Sequence, residues 1–179
     1  MKTIQQYSNT ILKTDYLLKN SKRNVLQGPK INKVTLNIGV REANINSSKI
    51  LIPLLILKVL SGEKPKPTKA RKSIANFKLR EGKIIGCKKT LRGPSMHFFL
   101  ENFVHIILPI LFESKTLKYK INKETNSLTI GIKDCSIFPE LENQYDLLKS
   151  IVGFNVTINY KENINNKDNL FFSGLKIPF

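Results

Sequence analysis

The sequence predicts an α+β fold, in which helices cover one side of an antiparallel β-sheet. Element order supports this class, because strand patterns occur singly or in small groups between three or four helix patterns. Length supports it as well, since a chain of 179 residues can bury one sizeable core. With no linker-like stretch dividing the chain, residues 1–179 are expected to form a single domain.

The first two predicted elements are a helix and a half-buried strand. Apolar residues recur at helical spacing over residues 1–20, which indicates an amphipathic helix. Apolar and polar residues then alternate over Ile31–Val40, as they do in a strand with one face in the core. The alternation places Lys33, Thr35 and Asn37 together on the polar face of this strand.

A second helix is predicted to run to about Leu60. Ser47 or Ser48 can cap its start, because a hydroxyl oxygen can accept from the first free backbone N–H groups. Pro53 lies inside the run, which predicts either a kink or a later start near Ile52.

A longer apolar helix is predicted from Gly93 to about Phe112. His97, Glu101 and His105 recur every four residues on it and therefore form one stripe. Such a stripe could hold a metal ion, or it could be the solvent-facing side of a helix that is buried elsewhere. We favour the solvent-facing stripe because no further ligand lies nearby, and we expect no metal ion and no other cofactor.

The last third of the chain predicts several short elements. Alternating and β-branched residues indicate strands, and polar clusters separate them. The predicted elements are strands at Leu117–Asn122, Leu128–Ile132 and Val152–Tyr160, an irregular segment at Ile137–Pro139, a turn of helix at Gln144–Lys149 and a short last helix after a loop at Asn163–Asn169.

The most unusual stretch is strongly basic. From Glu63 to Arg92 the chain holds eleven Lys or Arg and two Glu. Pro65 and Pro67 favour an extended start, and Cys87–Arg92 at the other end has the composition of a strand. Between them, residues 69–83 are expected to protrude as a loop whose ends are rigid and whose middle is not. A loop this charged cannot bury itself, because unpaired buried charge is very costly.

The excess positive charge lies wholly in the first half of the chain. Residues 1–92 hold 21 Lys or Arg and 4 Asp or Glu, whereas residues 93–179 hold nine of each. A net charge of +17 confined in this way indicates a polyanion-binding surface, with nucleic acid as the leading partner. A membrane is not expected as a partner, because the sequence has no basic amphipathic helix.

Motifs of enzymes are missing from the sequence. There is no P-loop, no nucleophile elbow and no zinc-ligand spacing, so catalysis is not expected. Cys87 and Cys135 form no CxxC motif and are expected to be reduced, partly buried thiols.

Five motifs carry a resemblance to a known family. They are SGEKPKPTKARKSIANFKLREGKIIGCKKTLRG (Ser61–Gly93), GPKINKVTLNIGVREA (Gly28–Ala43), SLTIGIKDCSIFPE (Ser127–Glu140), GFNVTI (Gly153–Ile158) and IPF (Ile177–Phe179). In this order they closely resemble the family of the fifth ribosomal protein of the large subunit, which binds 5S ribosomal RNA (rRNA). The resemblance covers most of the chain. It implies a sheet of about four or five strands, helices behind it and a concave front that binds RNA.

The resemblance also implies roles for individual residues. The sheet front would bind 5S rRNA, and the basic loop would reach the elbow of the tRNA in the peptidyl site. Phe77 in that loop could pack on a ribose or base, or could instead anchor the loop internally. The implied rRNA-binding residues are Lys33, Thr35, Asn37, Lys64, Thr90 and Arg92, and the implied tRNA-binding residues are Lys69, Arg71, Lys72, Phe77, Lys78 and Arg80.

One position departs from the family pattern. Members of the family commonly have Gln two residues before the proline that corresponds to Pro65, and this chain has Glu63 there. A carboxylate only accepts hydrogen bonds and repels phosphate, which puts an RNA contact at this position in doubt.

The resemblance further implies partners and a location. The partners would be 5S rRNA, large-subunit rRNA, peptidyl-site tRNA and neighbouring ribosomal proteins, including a small-subunit head protein across the subunit interface. Lys, Ile, Asn and Phe make up 75 of the 179 residues, and their codons are rich in A and T. This bias predicts a mitochondrial ribosome, with a plastid or an A/T-rich bacterium as alternatives. A free-standing RNA-binding or RNA-chaperone protein is the alternative function.

Overall fold

One six-stranded antiparallel sheet organises the fold. The computed structural model describes residues 4–19, 29–40, 43, 46–115, 118–122, 124–144, 153–161, 173–175 and 177. Within these residues the strands lie in the order β2-β3-β1-β6-β5-β4. The strands are β1 Lys30–Gly39, β2 Lys66–Lys69, β3 Ile84–Leu91, β4 Lys118–Asn122, β5 Ser127–Ile132 and β6 Phe154–Lys161. The predicted α+β class is confirmed, and β2 adds one strand to those expected from the sequence.

Among the described residues, three helices accompany the sheet. Helix α1 consists of the consecutive segments Ile4–Tyr7, Ser8–Leu12 and Lys13–Lys19, of which the middle one is a π-helix. Helix α2 is Leu51–Ser61. Helix α3 runs from Gly93 to Glu113 as Gly93–Asn102, Phe103–Ile107 and Leu108–Glu113, again with a π-helical middle. Short 3₁₀ turns lie at Ser47–Ile50, Ala75–Phe77, Cys135–Ile137 and Pro139–Gln144.

The predicted alternation of β1 is present in the structure. Val34, Leu36 and Ile38 are fully buried, and they pack in one core with apolar residues of α2 and α3 and of the other long strands. The helices therefore cover one side of the sheet. We call the opposite side the front face; it carries the alternate, polar residues of the strands.

Helix α2 begins one residue earlier than the proline suggested. A 3₁₀ turn precedes it, so Pro53 lies in the first turn of the α-helix, where a missing N–H breaks no intrahelical hydrogen bond. The predicted cap by Ser47 or Ser48 is wrong, because neither helical segment has a side-chain cap hydrogen bond at its N-terminus. Gly62 ends the helix, with φ 66° and its N–H donating to the carbonyl of Lys58.

Helix α3 is the central core helix. Its length and composition would allow it to cross a membrane, but much of it is buried inside the structure, with Phe103 fully enclosed. On the predicted stripe, His97 and Glu101 are half-buried and His105 is exposed, and His97 Nδ1 is buried without a hydrogen-bond partner among the described residues. Burial, assisted by the charge of Lys30, lowers the pKa of His97. No cluster of metal-ligating side chains occurs among the residues that the structure describes.

The two cysteines are buried free thiols, as predicted. Burial raises the pKa of Cys87 to about 12 and that of Cys135 to about 11, the latter with help from the charge of Asp134. Both thiols therefore stay protonated at neutral pH. Of the helix turn predicted at residues 144–149, the structure describes only Gln144, the last residue of a 3₁₀ turn. The rest of that turn and the loop predicted at residues 163–169 lie outside the described residues.

Candidate nucleic-acid interface

The front face carries continuous rows of polar residues across the sheet. Antiparallel pairing aligns Thr90 of β3, Thr35 of β1, Thr157 of β6 and Thr129 of β5. The hydroxyls of Thr129 and Thr157 lie 3.2 Å apart and share a hydrogen bond. This row crosses the middle of the sheet and presents small groups that can donate and accept hydrogen bonds.

A second row spans all six strands. It runs in register through Lys66, Lys88, Asn37, Asn155, Gly131 and Lys118. Lysines therefore stand at both ends of the row and amides in its centre. The row therefore contains both cations, which can contact phosphates, and amides, which can form hydrogen bonds to ribose or to base edges.

The strands carry only one sign of charge. Across the six strands, all of them within the described residues, there are nine Lys and no Asp or Glu. A carboxylate in a strand would repel phosphate, so this composition suits a polyanion on the front face, whereas Lys89 faces the helix side and pairs with Glu63. The lysines are Lys30, Lys33, Lys66, Lys69, Lys88, Lys89, Lys118, Lys120 and Lys161.

The structure brings most of the predicted rRNA-binding residues together. Lys33, Thr35, Asn37 and Thr90 lie on the front face of the adjacent strands β1 and β3. Arg92 is exposed directly after β3, one step beyond the pair Val34–Leu91. Lys64 is exposed two residues before β2. All six stay predictions of function, since their geometry shows only that they are accessible.

Sequence reasoning missed the other half of the front face. Lys88, Asn155, Thr157 and Lys118 share the rows of the predicted residues but come from strands whose pairing was unknown. Their alternation with buried residues was a visible signal, since Phe154–Lys161 reads as a half-buried strand. What the sequence does not show is that β6 lies beside β1.

Glu63 is held within the protein. One of its carboxylate oxygens lies 2.5 Å from Lys89 Nζ, and Lys89 Nζ also donates to the carbonyl of Lys64 at 3.3 Å. Hydrogen bonds from Lys89 and then from Ser95 hold the pKa of Glu63 below its usual range. Lys89 thus neutralises the charge of Glu63. The residue that departs from the family pattern therefore does not present an unpaired carboxylate to RNA.

Residues 69–83 form a hydrogen-bonded hairpin, which we call the basic hairpin. The N–H of Ala70 donates to the carbonyl of Lys83, and Ile74 and Leu79 exchange both backbone hydrogen bonds at 2.9 and 3.1 Å. Ser73 Oγ accepts from the N–H of Glu81 at 3.0 Å. The two arms are therefore joined by backbone hydrogen bonds, and a 3₁₀ turn closes the tip. The lack of rigidity expected for the middle of the loop stays a prediction.

The basic hairpin presents its charges to solvent. Phe77 at its tip is 72% exposed, which argues against the internal anchor and for an outward contact. The predicted residues Lys69, Arg71, Lys72, Lys78 and Arg80 lie on the same hairpin, and Arg71, Lys72 and Arg80 are exposed. The structure thus separates two basic surfaces, the front face and the basic hairpin, that the sequence presents as one run.

Two family models match the chain. One, described as ribosomal protein L5, covers residues 24–80, and the other, described as the C-terminus of the same ribosomal family, covers residues 84–179. The chain belongs to the ribosomal protein L5 family. The two matches meet at the end of the basic hairpin, yet β1 of the first match lies between β3 and β6 of the second in one sheet.

Relatives from bacteria and from a mitochondrion match the chain over nearly its whole length. Large ribosomal subunit protein uL5m of Reclinomonas americana, a mitochondrial protein, is 36% identical over 99% of this chain and 98% of its own. Protein uL5 of Nitrosomonas europaea is 35% identical over 98% and 97%. Protein uL5 of Buchnera aphidicola is 38% identical over 97% and 95%.

Membership of the L5 family fixes the broad role. The protein is a constituent of the large ribosomal subunit, where it assembles with rRNA and with other ribosomal proteins for translation. The family is a structural one and not a class of enzymes. The ribosomal identity predicted from the motifs is confirmed.

Proposed function

We propose that the protein attaches to 5S rRNA through its front face and contacts peptidyl-site tRNA through the basic hairpin. The observation that carries the first part is the front face itself. Its rows of Thr and Asn are flanked by lysines, and no carboxylate occurs in any of the six strands. No other surface of the described residues combines these features over several strands.

The front face suits RNA better than DNA or protein. An RNA helix has a wide, shallow minor groove that displays 2′-hydroxyls, and RNA loops splay out their bases. Short side chains such as Thr35, Thr90 and Asn37 can lie against such a groove, whereas lysines at the sheet edges contact phosphates. Arg92, exposed beside this row, can fork two hydrogen bonds to one phosphate or base.

The basic hairpin suits a partner whose sequence varies. Any tRNA must be accepted in the peptidyl site, so contacts to phosphates position it without reading its bases. Exposed Lys and Arg side chains supply those contacts, and the exposed Phe77 ring can stack on a ribose or base of any identity. Attachment to the subunit and contact with tRNA would thus be separate tasks of separate surfaces.

The test of the front face is substitution of Asn37 or Arg92 by Ala. Each change should weaken binding to 5S rRNA by about 1–3 kcal/mol, the range of a good directed contact. Both side chains are exposed, so the thermal unfolding midpoint should not change. Lys58→Ala on α2 is a suitable control, because it also removes an exposed side chain but lies on the helix side.

Two results would count against the proposal. Unchanged affinity of both variants for 5S rRNA would remove the front face from the binding site. Release of the protein from large subunits by a high-salt wash, measured by co-sedimentation, would favour a free-standing RNA-binding protein.

The location and neighbours form part of the same proposal. The A/T-rich codon usage implied by the composition and the similarity to uL5m of Reclinomonas americana support a mitochondrial ribosome. The protein would lie in the central protuberance as one domain and contact a small-subunit head protein. Cross-linking of intact ribosomes, followed by identification of the linked proteins, tests these neighbours.

A further inference from the structure

The front face contains one open depression of about 750 Å³. It lies where β1 and β5 end and β4 and β6 begin, beside the row of residues that spans the sheet. Asn37 and Asn155, which are paired across β1 and β6, line it together with Lys118 of β4. None of these positions is buried, so the depression opens to the side on which RNA would lie.

The depression exists because glycines replace side chains on this part of the sheet. Gly39 and Gly131, both within strands, line it. A Cβ on Gly39 would meet nothing within 4 Å, and one on Gly131 would make only ordinary contacts, the closest at 3.5 Å to Asn155 Oδ1. Neither residue has a positive φ. Backbone geometry therefore does not require glycine at either position.

Strand glycines that the backbone does not need point to a ligand. Glycine in a strand costs stability relative to a residue with a side chain, and it often marks a place where a ligand approaches the backbone closely. Gly153 is different, since its φ is 62° and a Cβ there would lie 2.5 Å from the carbonyl oxygen of Ile132, and both facts require glycine. Gly39 and Gly131 are therefore the two informative positions.

The lining chemistry is that of a nucleotide site. Lys118 and Lys133 are exposed cations at the depression, suited to phosphate. The amides of Asn37 and Asn155 can each donate and accept, as base edges require. Asp134 also lines the depression, and its carboxylate can only accept hydrogen bonds, so it would face N–H groups of a base and not phosphate.

We propose that this depression binds one unpaired nucleotide of 5S rRNA, with the base over Gly131 and the phosphate near Lys118 and Lys133. The nucleotide site deepens the proposed function and rests on it. The volume lies within the range of small-ligand sites, about 300–1,000 Å³. Guanine satisfies Asp134 most fully, because its Watson–Crick edge offers two adjacent N–H donors. A protein segment is the other possible occupant, and the charged, amide-rich lining favours RNA over it.

The test is a substitution that fills the depression and leaves the fold intact. Gly131→Val places a β-branched side chain where a Cβ fits, so thermal stability should be equal or higher. Affinity for the 5S rRNA of the protein's own ribosome should fall about tenfold, the loss of one nucleotide contact. Chemical probing of the RNA should show one unpaired base protected by the wild type and reactive again with the variant.

Leu55→Val is the control. It puts the same valine at an exposed position of α2, on the helix side and away from the front face. This control should bind and protect the RNA like the wild type. Gly39→Ala provides a second filling variant should Gly131→Val fail to fold, because the space around Gly39 is open.

The outcomes separate the two proposals. If Gly131→Val or, in its place, Gly39→Ala folds and binds with unchanged affinity and protection, the nucleotide site is wrong while 5S rRNA binding stands. If the wild type itself does not bind 5S rRNA, both are wrong. In intact large subunits, a cross-linker at position 133 that captures a ribosomal protein and no rRNA would also overturn the nucleotide site.

Discussion

At the scale of single residues, the strand pattern partly buries the ammonium of Lys89, and a neighbouring carboxylate pairs with it. Lys89 lies between Cys87 and Leu91 on the helix side of β3, where the alternate residues are buried. Its side chain is only 15% exposed. A partly buried ammonium needs a partner, since unpaired charge away from water is costly. Glu63 supplies that partner and also ties the start of β2 to β3.

Replacing Glu63 by Gln should therefore lower stability in a pH-dependent way. The folded pKa of Glu63 lies below its ordinary value of 4.5, mainly because Lys89 donates to the carboxylate. The stabilisation is fully present above pH 4.5 and is lost as the pH falls through the lowered pKa. The difference in unfolding free energy between wild type and Glu63→Gln, from denaturant titrations, should therefore be largest near neutral pH and shrink on acidification.

Glu81→Gln provides the control for this change. Glu81 is exposed in the basic hairpin, and the change removes the same charge at another site. A stability difference for Glu63→Gln that stays constant from neutral pH to well below the ordinary pKa would show that the ion pair does not stabilise the fold.

At the scale of elements, the basic hairpin is a pre-paired arm. Fixing the backbone of one residue costs about 1–2 kcal/mol, so a disordered loop would lose much of the energy of binding tRNA. Backbone hydrogen bonds between Ile74 and Leu79 and between Ala70 and Lys83 already hold the arms together. The left-handed Lys78, with φ 51°, closes the tip. Contact with tRNA therefore requires less ordering than it would in a loop without these hydrogen bonds.

Neutralising Arg71, Lys72 and Arg80 together with Gln should separate tRNA contact from assembly. All three side chains lie on the basic hairpin and none lies on the front face. The variant should assemble into large subunits as the wild type does, and tRNA should dissociate from the peptidyl site about tenfold or more faster, as expected when several phosphate contacts are lost. Assembly and tRNA occupancy should be measured on the same ribosomes.

A variant with Lys13, Lys19 and Lys58 changed to Gln carries the same charge difference on the helices and should retain tRNA normally. If the hairpin variant fails to assemble while the surviving ribosomes hold tRNA normally, the basic hairpin anchors the protein to rRNA. The proposed division between the two surfaces would then be wrong.

At the scale of the whole molecule, the fold separates charge from apolar surface. The helices and the inward residues of the strands form the core, and the strands keep nine lysines and no carboxylate. The chain has a net charge of +17, so a bound polyanion releases counterions when its phosphates are neutralised.

Affinity for 5S rRNA should consequently fall steeply with salt. The logarithm of the association constant should decrease linearly with the logarithm of salt concentration, with a slope set by the number of phosphates contacted. Changing Lys66, Lys88 and Lys118 to Gln should reduce the magnitude of the slope by the amount expected for the loss of about two to three phosphate contacts. The hairpin variant should flatten it much less. Binding that does not respond to salt would contradict the electrostatic part of the proposal.

Much of the fold and half of the interface could be predicted from the sequence. Alternation in β1 placed Lys33, Thr35 and Asn37 on one polar face, because side chains in a strand alternate with a period of two. The predicted ends of α2 and α3 agree with the structure to within a few residues. Local backbone geometry carries this information, and local geometry can be read from a single chain.

Only the tertiary structure decided which strands are neighbours. The pairs Asn37–Asn155 and Gly131–Lys118 join residues that are far apart or separated by turns in the sequence, and pairing depends on the packing of the whole core. The nucleotide-sized depression and the remaining half of the front face follow from that pairing. The ion pair of Glu63 with Lys89 and the closed basic hairpin likewise depend on β2 lying against β3, a contact that no local pattern specifies.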